Sequence, residues 1–265
     1  EDNLIEIETT FNNNYKLDLI ELECILDKYK NDDKLIIFNN PNNPTGLVYS
    51  ENEVKNIANI LNKYNCKVFA DEIYINLSYK KTISISKYIP HLTIVGSSIS
   101  KDLGCGGYRL GWIIFPKELV DLFNKCNSIA SSTYSCAPTP IQYATNKILL
   151  DKKTLYDHYQ LNINTYKYII SSICDLLSKT NILYIKPESS WYIFLNFINY
   201  KDKLINENIS TSTDLSKKLI DQFGIITVPG TAFNINDLCI RFSLVDFKLT
   251  NGIINIDNMI KGFNI

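Results

Sequence analysis

Three polar clusters follow one another along the chain: Asn39-Asn40-Pro41-Asn42-Asn43-Pro44-Thr45-Gly46, Asp71-Glu72-Ile73-Tyr74 and Ser98-Ile99-Ser100-Lys101. Asp71 lies 28 residues after Asn43, and Lys101 lies 30 after Asp71. Each interval suits one strand–helix–strand step. Each cluster also closes a short apolar run. In an open parallel sheet, right-handed crossovers bring such strand ends to one edge, where ligands bind. An amide, a carboxylate, a phenol, serine hydroxyls and a lysine amine are thereby expected in one cleft. The segment Gly104-Cys105-Gly106-Gly107-Tyr108-Arg109-Leu110-Gly111 adds Arg109, a fixed fork of donors suited to a phosphate. Pyridoxal phosphate requires this set. A lysine must hold its aldehyde as an imine, and a carboxylate opposite the ring nitrogen must keep the pyridinium protonated as an electron sink.

The elements that must position these groups follow a βαβ pattern from residue 35 to about 115. Leu35-Ile36-Ile37-Phe38 is wholly apolar and reads as a buried parallel strand. Ser50-Glu51-Asn52-Glu53 is a capping box, followed by Val54, Ile57, Ile60 and Leu61 at helical spacing. Lys67-Val68-Phe69-Ala70 and Leu92-Thr93-Ile94-Val95 predict two more strands, ending at Asp71 and near Ser98, and Trp112-Ile113-Ile114-Phe115 a fourth before Pro116. Residues 117 to about 180 are helical in pattern, broken at Pro138 and Pro140, with a loop from Tyr134 to Gln142 running into a new helix. Trp191-Tyr192-Ile193-Phe194-Leu195, Ile225-Ile226-Thr227-Val228 and Leu238-Cys239-Ile240-Arg241-Phe242 are short strands separated by helices. The fold class is therefore α/β, with a large domain over 1–154 and a smaller C-terminal α/β domain over 155–265.

Composition excludes several classes. A chain of 265 residues buries roughly 70–75% of its unfolded surface, enough for one large or two modest domains. The hydrophobic share of 45% and charged share of 21% are ordinary for a globular enzyme. A net charge of −1 provides no field for nucleic acid or anionic lipid. Seven cysteines without a Cys-x-x-Cys pair, and only His91 and His158, argue against a zinc site or any other metal. Scattered thiols suit a reducing compartment. No apolar run reaches the roughly 18 residues of a membrane span, and Glu1-Asp2-Asn3-Leu4 carries no signal pattern, so a cytoplasmic location is expected.

The motifs resemble those of the class I/II aminotransferases, pyridoxal-phosphate enzymes of the aspartate-aminotransferase fold. The matching segments are Asn42-Asn43-Pro44-Thr45-Gly46, Asp71-Glu72-Ile73-Tyr74, Ser98-Ile99-Ser100-Lys101 with Gly107-Tyr108-Arg109-Leu110-Gly111, and Ile240-Arg241-Phe242-Ser243. Weaker matches are Val228-Pro229-Gly230-Thr231-Ala232-Phe233 and Lys186-Pro187-Glu188 before Trp191-Tyr192. Order and spacing agree across nearly the whole chain. The resemblance implies a three-layer α/β/α large domain with a mainly parallel sheet. It implies that Lys101 forms the imine with the cofactor and then acts as general base for the 1,3-proton shift. Asp71 pairs with the pyridinium nitrogen, Asn43 and Tyr74 hydrogen-bond the ring hydroxyl, and Ser98 and Arg109 bind the phosphate. Arg241 takes the substrate α-carboxylate, with Asn43 beside it. The substrates are an L-amino acid and a 2-oxo acid.

Each motif alone has a blander reading. Asn42-Asn43-Pro44-Thr45-Gly46 is a turn sequence, Asp71 could cap a helix, Lys101 could be a solvated surface residue and Arg241 a charge on an edge strand. The functional readings rest on finding all four in register. The glycine run is no dinucleotide loop, because Arg109 stands where the third glycine of Gly-x-Gly-x-x-Gly belongs. Cys105 reads as a small packing residue, and Tyr134, Ser135 and Cys136 as loop structure.

Other functions use the same residues. A carbon–sulfur lyase or an aminocyclopropane-carboxylate synthase would share Lys101, Asp71 and Arg241. A pyridoxal-phosphate-sensing transcription regulator would need a basic helix-turn-helix that this sequence does not show. The family also carries, ahead of the region where this chain begins, an N-terminal arm, a glycine-containing helix start that binds the phosphate, a ring that stacks on the cofactor and a tyrosine given to the partner subunit. Residues 1–34 hold no counterpart of these. The resemblance therefore predicts a fragment or truncated product, a homodimer when full length, and keeps a non-catalytic relative among the readings.

Overall fold

Asp18 sits in extended backbone and its carboxylate accepts from the N–H groups of Ile20 and Glu21, which starts α1 (Leu19–Lys28). The structure, a computed structural model, describes residues 4–250 and 253–257; Glu1-Asp2-Asn3, on which the reading of the leading residues rests, lie outside them. By internal contacts the chain divides into two compact units. The first comprises Glu1–Pro41, Val48–Asn76 and Lys81–Tyr159; the second comprises Asn42–Leu47, Leu77–Lys80 and Gln160–Ile265.

The first unit is built on a sheet of β1 (Leu35–Asn39), β2 (Lys67–Asp71), β3 (Thr93–Ser98) and β4 (Gly111–Ile114), in that order. The first three run parallel and β4 is antiparallel to β3. The capping box opens α2 (Glu51–Lys63) as expected: Glu53 N–H donates to Ser50 Oγ at 3.4 Å, and Ser50 N–H to Glu53 Oε2 at 2.7 Å. This helix buries Val54, Ile57, Ala58 and Leu61 against Phe38, Val68 and Ala70, with Leu22 and Leu26 of α1 in the same core. Burying one such aliphatic side chain is worth about 1.5–3 kcal/mol.

β1 corrects the expectation of burial on both faces. It is an edge strand, and the helical core covers one face only. Phe38 points into that core, while Leu35 and Ile37 are 58% and 71% exposed. A second difference lies between β3 and β4. The intervening residues 99–110 hold no α-helix, so the chain has no crossover and returns beside β3 antiparallel.

Three helices follow: α3 (Val120–Thr133), α4 (Thr139–Leu150) and the 26-residue α5 (Lys152–Leu177). In the second unit α5 buries Ile169, Ile170, Ile173, Cys174 and Leu177. They pack against β6 (Tyr192–Asn196), which follows the two-residue β5 (Leu183–Tyr184). After α6 (Lys201–Asn206) and α7 (Ser212–Phe223) come β7 (Val228–Pro229) and β8 (Cys239–Ser243). The sheet order is β5-β6-β8-β7, antiparallel throughout, and β9 (Lys248–Thr250) with β10 (Ile253–Asn255) makes a separate antiparallel pair. The strand expected over 225–228 shrinks to β7. Gly224, at φ +68°, donates to Ile220 O and Ile225 donates to Leu219 O, so the amide of Ile225 closes α7 instead of joining a ladder.

The loop Asn42–Leu47 is set by Gly46, which has φ +69°. Its carbonyl accepts from Glu188 N–H at 2.9 Å and Ser189 Oγ at 3.2 Å, and an added Cβ would lie 2.9 Å from Pro187 Cβ and 3.0 Å from Ser189 O. Gly46→Ala is expected to destabilise the second unit by about 1–3 kcal/mol, read as a lower urea midpoint with unchanged slope.

Candidate active site

The end of β2 places Asp71 between Asn39 of β1 and Gly96 of β3 in the ladder register. Its carbonyl accepts from Asn40 N–H and Asn39 Nδ2, both at 3.2 Å, which pins the main chain at this edge. Its side chain is half-buried, and Oδ1 accepts a long bond of 3.3 Å from Ile73 N–H. Burial pushes the Asp71 carboxyl above its ordinary value, opposed by that N–H and by the positive charge of Lys101. The carboxylate is thus incompletely compensated, and a protonated ring nitrogen would complete it.

Lys101 stands half-buried in the turn after β3. Its carbonyl accepts from Gly104 N–H at 3.1 Å, and Cys105 N–H donates to Ile99 O at 3.0 Å. Ser98 Oγ accepts from Ser100 N–H at 3.0 Å, which leaves its hydroxyl proton to donate elsewhere. Arg109 adopts the left-handed conformation at φ 55°, and Nη1 donates to Gly106 O at 2.8 Å. Its guanidinium is exposed, and the other N–H groups of the fork remain for an anion. An open cavity of about 1180 Å³ has Asp71, Ser97, Arg109, Trp112, Phe123 and Tyr134 among its lining residues. Asp71 and Arg109 therefore share one cavity. Ser98 and Lys101 are not in its lining, though Lys101 acts on Asp71 through its charge. Tyr74 follows β2 with its ring buried at 3% exposure.

In the second unit Arg241 lies on β8, between β6 and β7, opposite Phe194 and Val228. It is an interior strand residue, not an edge charge. Its Nη1 donates to Asn43 Oδ1 at 2.9 Å. The guanidinium carbon sits 4.3 Å from the ring centroid of Tyr192 and 5.5 Å from that of Phe233. Two aromatic faces hold the cation from below while Asn43 fixes one edge. Arg241 Nε is buried with no hydrogen-bond partner. A carboxylate has the charge and the paired oxygens that this donor set lacks.

Tyr192 and Phe233, whose rings hold the Arg241 guanidinium, carry no role in the sequence reading, although both fall in the weaker matching segments. Their stacking depends on strand pairing and on the turn at Gly230, neither of which a motif reports. Tyr134, Ser135 and Cys136 form the expected loop, yet they also line the cavity. Cys105 is half-buried, with Sγ–H donating to Leu103 O at 3.1 Å. All seven cysteines are free thiols, and no metal-binding cluster occurs among the described residues.

Residues 3–250 match the family model described as aminotransferase class I and II. The chain belongs to this family. Class I and II aminotransferases are pyridoxal-phosphate enzymes, and the donor set described here fits that cofactor. The chain is 29% identical over 243 residues to a probable aspartate aminotransferase of Methanocaldococcus jannaschii, covering 90% of this chain and 59% of that protein. It is 30% identical over 202 residues to a probable N-acetyl-LL-diaminopimelate aminotransferase of Bacillus subtilis, covering 76% and 48%. Among solved structures it is similar to the aspartate aminotransferase of Thermus thermophilus with maleate, at TM-score 0.82 and 20% identity, covering 98% of this chain and 62% of that one. The chain thus spans 59% or less of these two curated relatives and has the aspartate-aminotransferase fold expected from the motifs.

Because burial raises the Asp71 pKa above the ordinary 3.8, the folded chain binds this proton more tightly than the unfolded chain does. The ionised side chain therefore weakens the fold, and the cost appears as pH rises through 3.8 and is complete above the raised folded value. Asp71→Asn is expected to melt higher than wild type at neutral pH without cofactor, with the gap narrowing in acid, as scanning calorimetry would show.

Proposed function

We propose that the protein is a pyridoxal-phosphate-dependent aminotransferase moving an amino group between an L-amino acid and a 2-oxo acid. The observation that carries this reading is Asp71, at the end of β2, and Arg109, just before β4, lining one cavity beside the turn that bears Lys101. When bound, the cofactor supplies an aldehyde and an electron-withdrawing pyridinium ring. Asp71 holds the ring-nitrogen proton. Ser98 donates its hydroxyl proton to the phosphate, and Arg109 donates two N–H groups to it. Asn43, whose Oδ1 accepts from Arg241, presents its Nδ2 end as donor to the ring hydroxyl, where Tyr74 donates as well. Arg241 grips the substrate α-carboxylate through Nε and the free edge of its guanidinium. Lys101 Nζ takes the proton from the substrate α-carbon and returns it one position away.

The relatives carry names for different amino donors, so the donor is left to experiment. We also propose a boundary near residue 155 between a cofactor-binding large domain over 1–154 and a small domain over 155–265. A homodimer is supported by the family resemblance, and a cytoplasmic location by seven thiols outside any disulfide.

The test is a panel of L-amino acids with 2-oxoglutarate, scored by the pyridoxamine form of the cofactor and by the new 2-oxo acid. Charge-assisted bonds of this class contribute about 1.5–3 kcal/mol, so Arg241→Lys is expected to raise KM for the donor by about 10- to 150-fold. Cofactor retention should be unaffected. A chain that holds the cofactor yet transfers no amino group from any donor would point to a lyase or synthase on the same scaffold.

A further inference from the structure

Asp102 follows Lys101 and is only 3% exposed. Charged side chains are seldom fully buried, because desolvating a carboxylate costs several kcal/mol unless donors replace the water. Here they do. Asn76 Nδ2 donates to Asp102 Oδ2 at 2.8 Å and also reaches Tyr159 OH at 3.2 Å. The Tyr159 hydroxyl and the Leu103 N–H bond the same carboxylate. The main chain is gripped too: His158 Nε2 lies 3.0 Å from Asp102 O, and since a carbonyl only accepts, that nitrogen carries a proton.

These partners come from two places. Asn76 lies in the turn leaving β2, five residues beyond Asp71, while His158 and Tyr159 are consecutive residues of α5. Asp102 is the second residue of the turn closed by Gly104 N–H on Lys101 O. Its side chain and its carbonyl are thus held by one helix, and its carboxylate by the strand exit that also carries Asp71. Burial and the neighbouring carboxylate push the Tyr159 phenol upward, so it stays protonated and remains a donor. An apolar side chain would fill this space without the desolvation cost. What it would lose is direction.

We propose that Asp102 is a positioning residue for Lys101, its carboxylate clamped by Asn76 and Tyr159 so that the turn aims the lysine amine at the cofactor aldehyde. The proposal rests on the reading of Lys101 given above. Displacement of a reacting group by 1 Å can cost about a hundredfold in rate, which is the scale at which a loosened turn acts.

The experiment mixes the full chain with saturating pyridoxal phosphate, follows the lysine-linked absorbance by stopped flow, and maps the borohydride-reduced adduct by mass. Asp102→Ala is expected to slow adduct formation at Lys101 by about tenfold or more, and Tyr159→Phe by about threefold. Asp102→Asn, which still accepts from Asn76, should recover most of the rate. Thermal melting of each variant separates folding from aim: a purely structural role would lower melting temperatures and leave the rate per folded molecule unchanged. That outcome overturns the proposal. If Asp102→Ala fails to fold, Tyr159→Phe decides, since it removes one oxygen. Wild-type protein that forms no adduct at Lys101 overturns the reading of the lysine and this proposal with it. Normal wild-type trapping with unchanged variants overturns the positioning role alone.

Discussion

The cost of keeping one carboxylate half out of water organises the first unit. Asp71 is placed by strand pairing on both sides, and among the described residues its desolvation is opposed by one long N–H bond and the charge of Lys101. A group held this way is poised for a cationic partner, because binding one relieves a cost already present in the folded chain. The hydrophobic packing of α1 and α2 on β1 and β2 offsets that cost. Removing the charge should stabilise the fold and disable the site, a trade between stability and activity that recurs at functional positions.

The second unit solves the complementary problem, holding a cation ready for an anion. The structure stacks the Arg241 guanidinium on Tyr192 and Phe233 and fixes one edge with Asn43. Asn43 reaches it because the Asn42–Leu47 loop belongs to this unit, folded onto Glu188 and Ser189 by Gly46. The motif nearest the start of the chain and the one nearest its end thus form a single binding corner.

Much of this was legible in sequence. The strands ending at Asp71 and Ser98, the Ser50–Glu53 capping box and the strand bearing Arg241 all follow from apolar runs and local capping chemistry, which act over a few residues. What escaped depends on distant partners. The run Leu35–Phe38 reads as buried on both faces, yet an edge strand with helices on one side exposes Ile37. Ile225 looks like strand until Gly224 closes α7 with its amide. Asp102 carries no signal in the sequence, since its donors come from Asn76 and from Tyr159, which lies 57 residues further on. Tyr192 and Phe233 acquire meaning only once β6, β7 and β8 are paired.

The most direct test is where a reduced pyridoxal adduct forms. The chain would be equilibrated with pyridoxal phosphate, reduced with borohydride, digested and sequenced by mass spectrometry, alongside Lys101→Ala. A single modified peptide containing Lys101, lost in Lys101→Ala and weakened in Asp71→Asn, is the expected result. Modification scattered over surface lysines, unchanged by either substitution, would contradict the assignment of Lys101 and the pairing with Asp71 on which it rests.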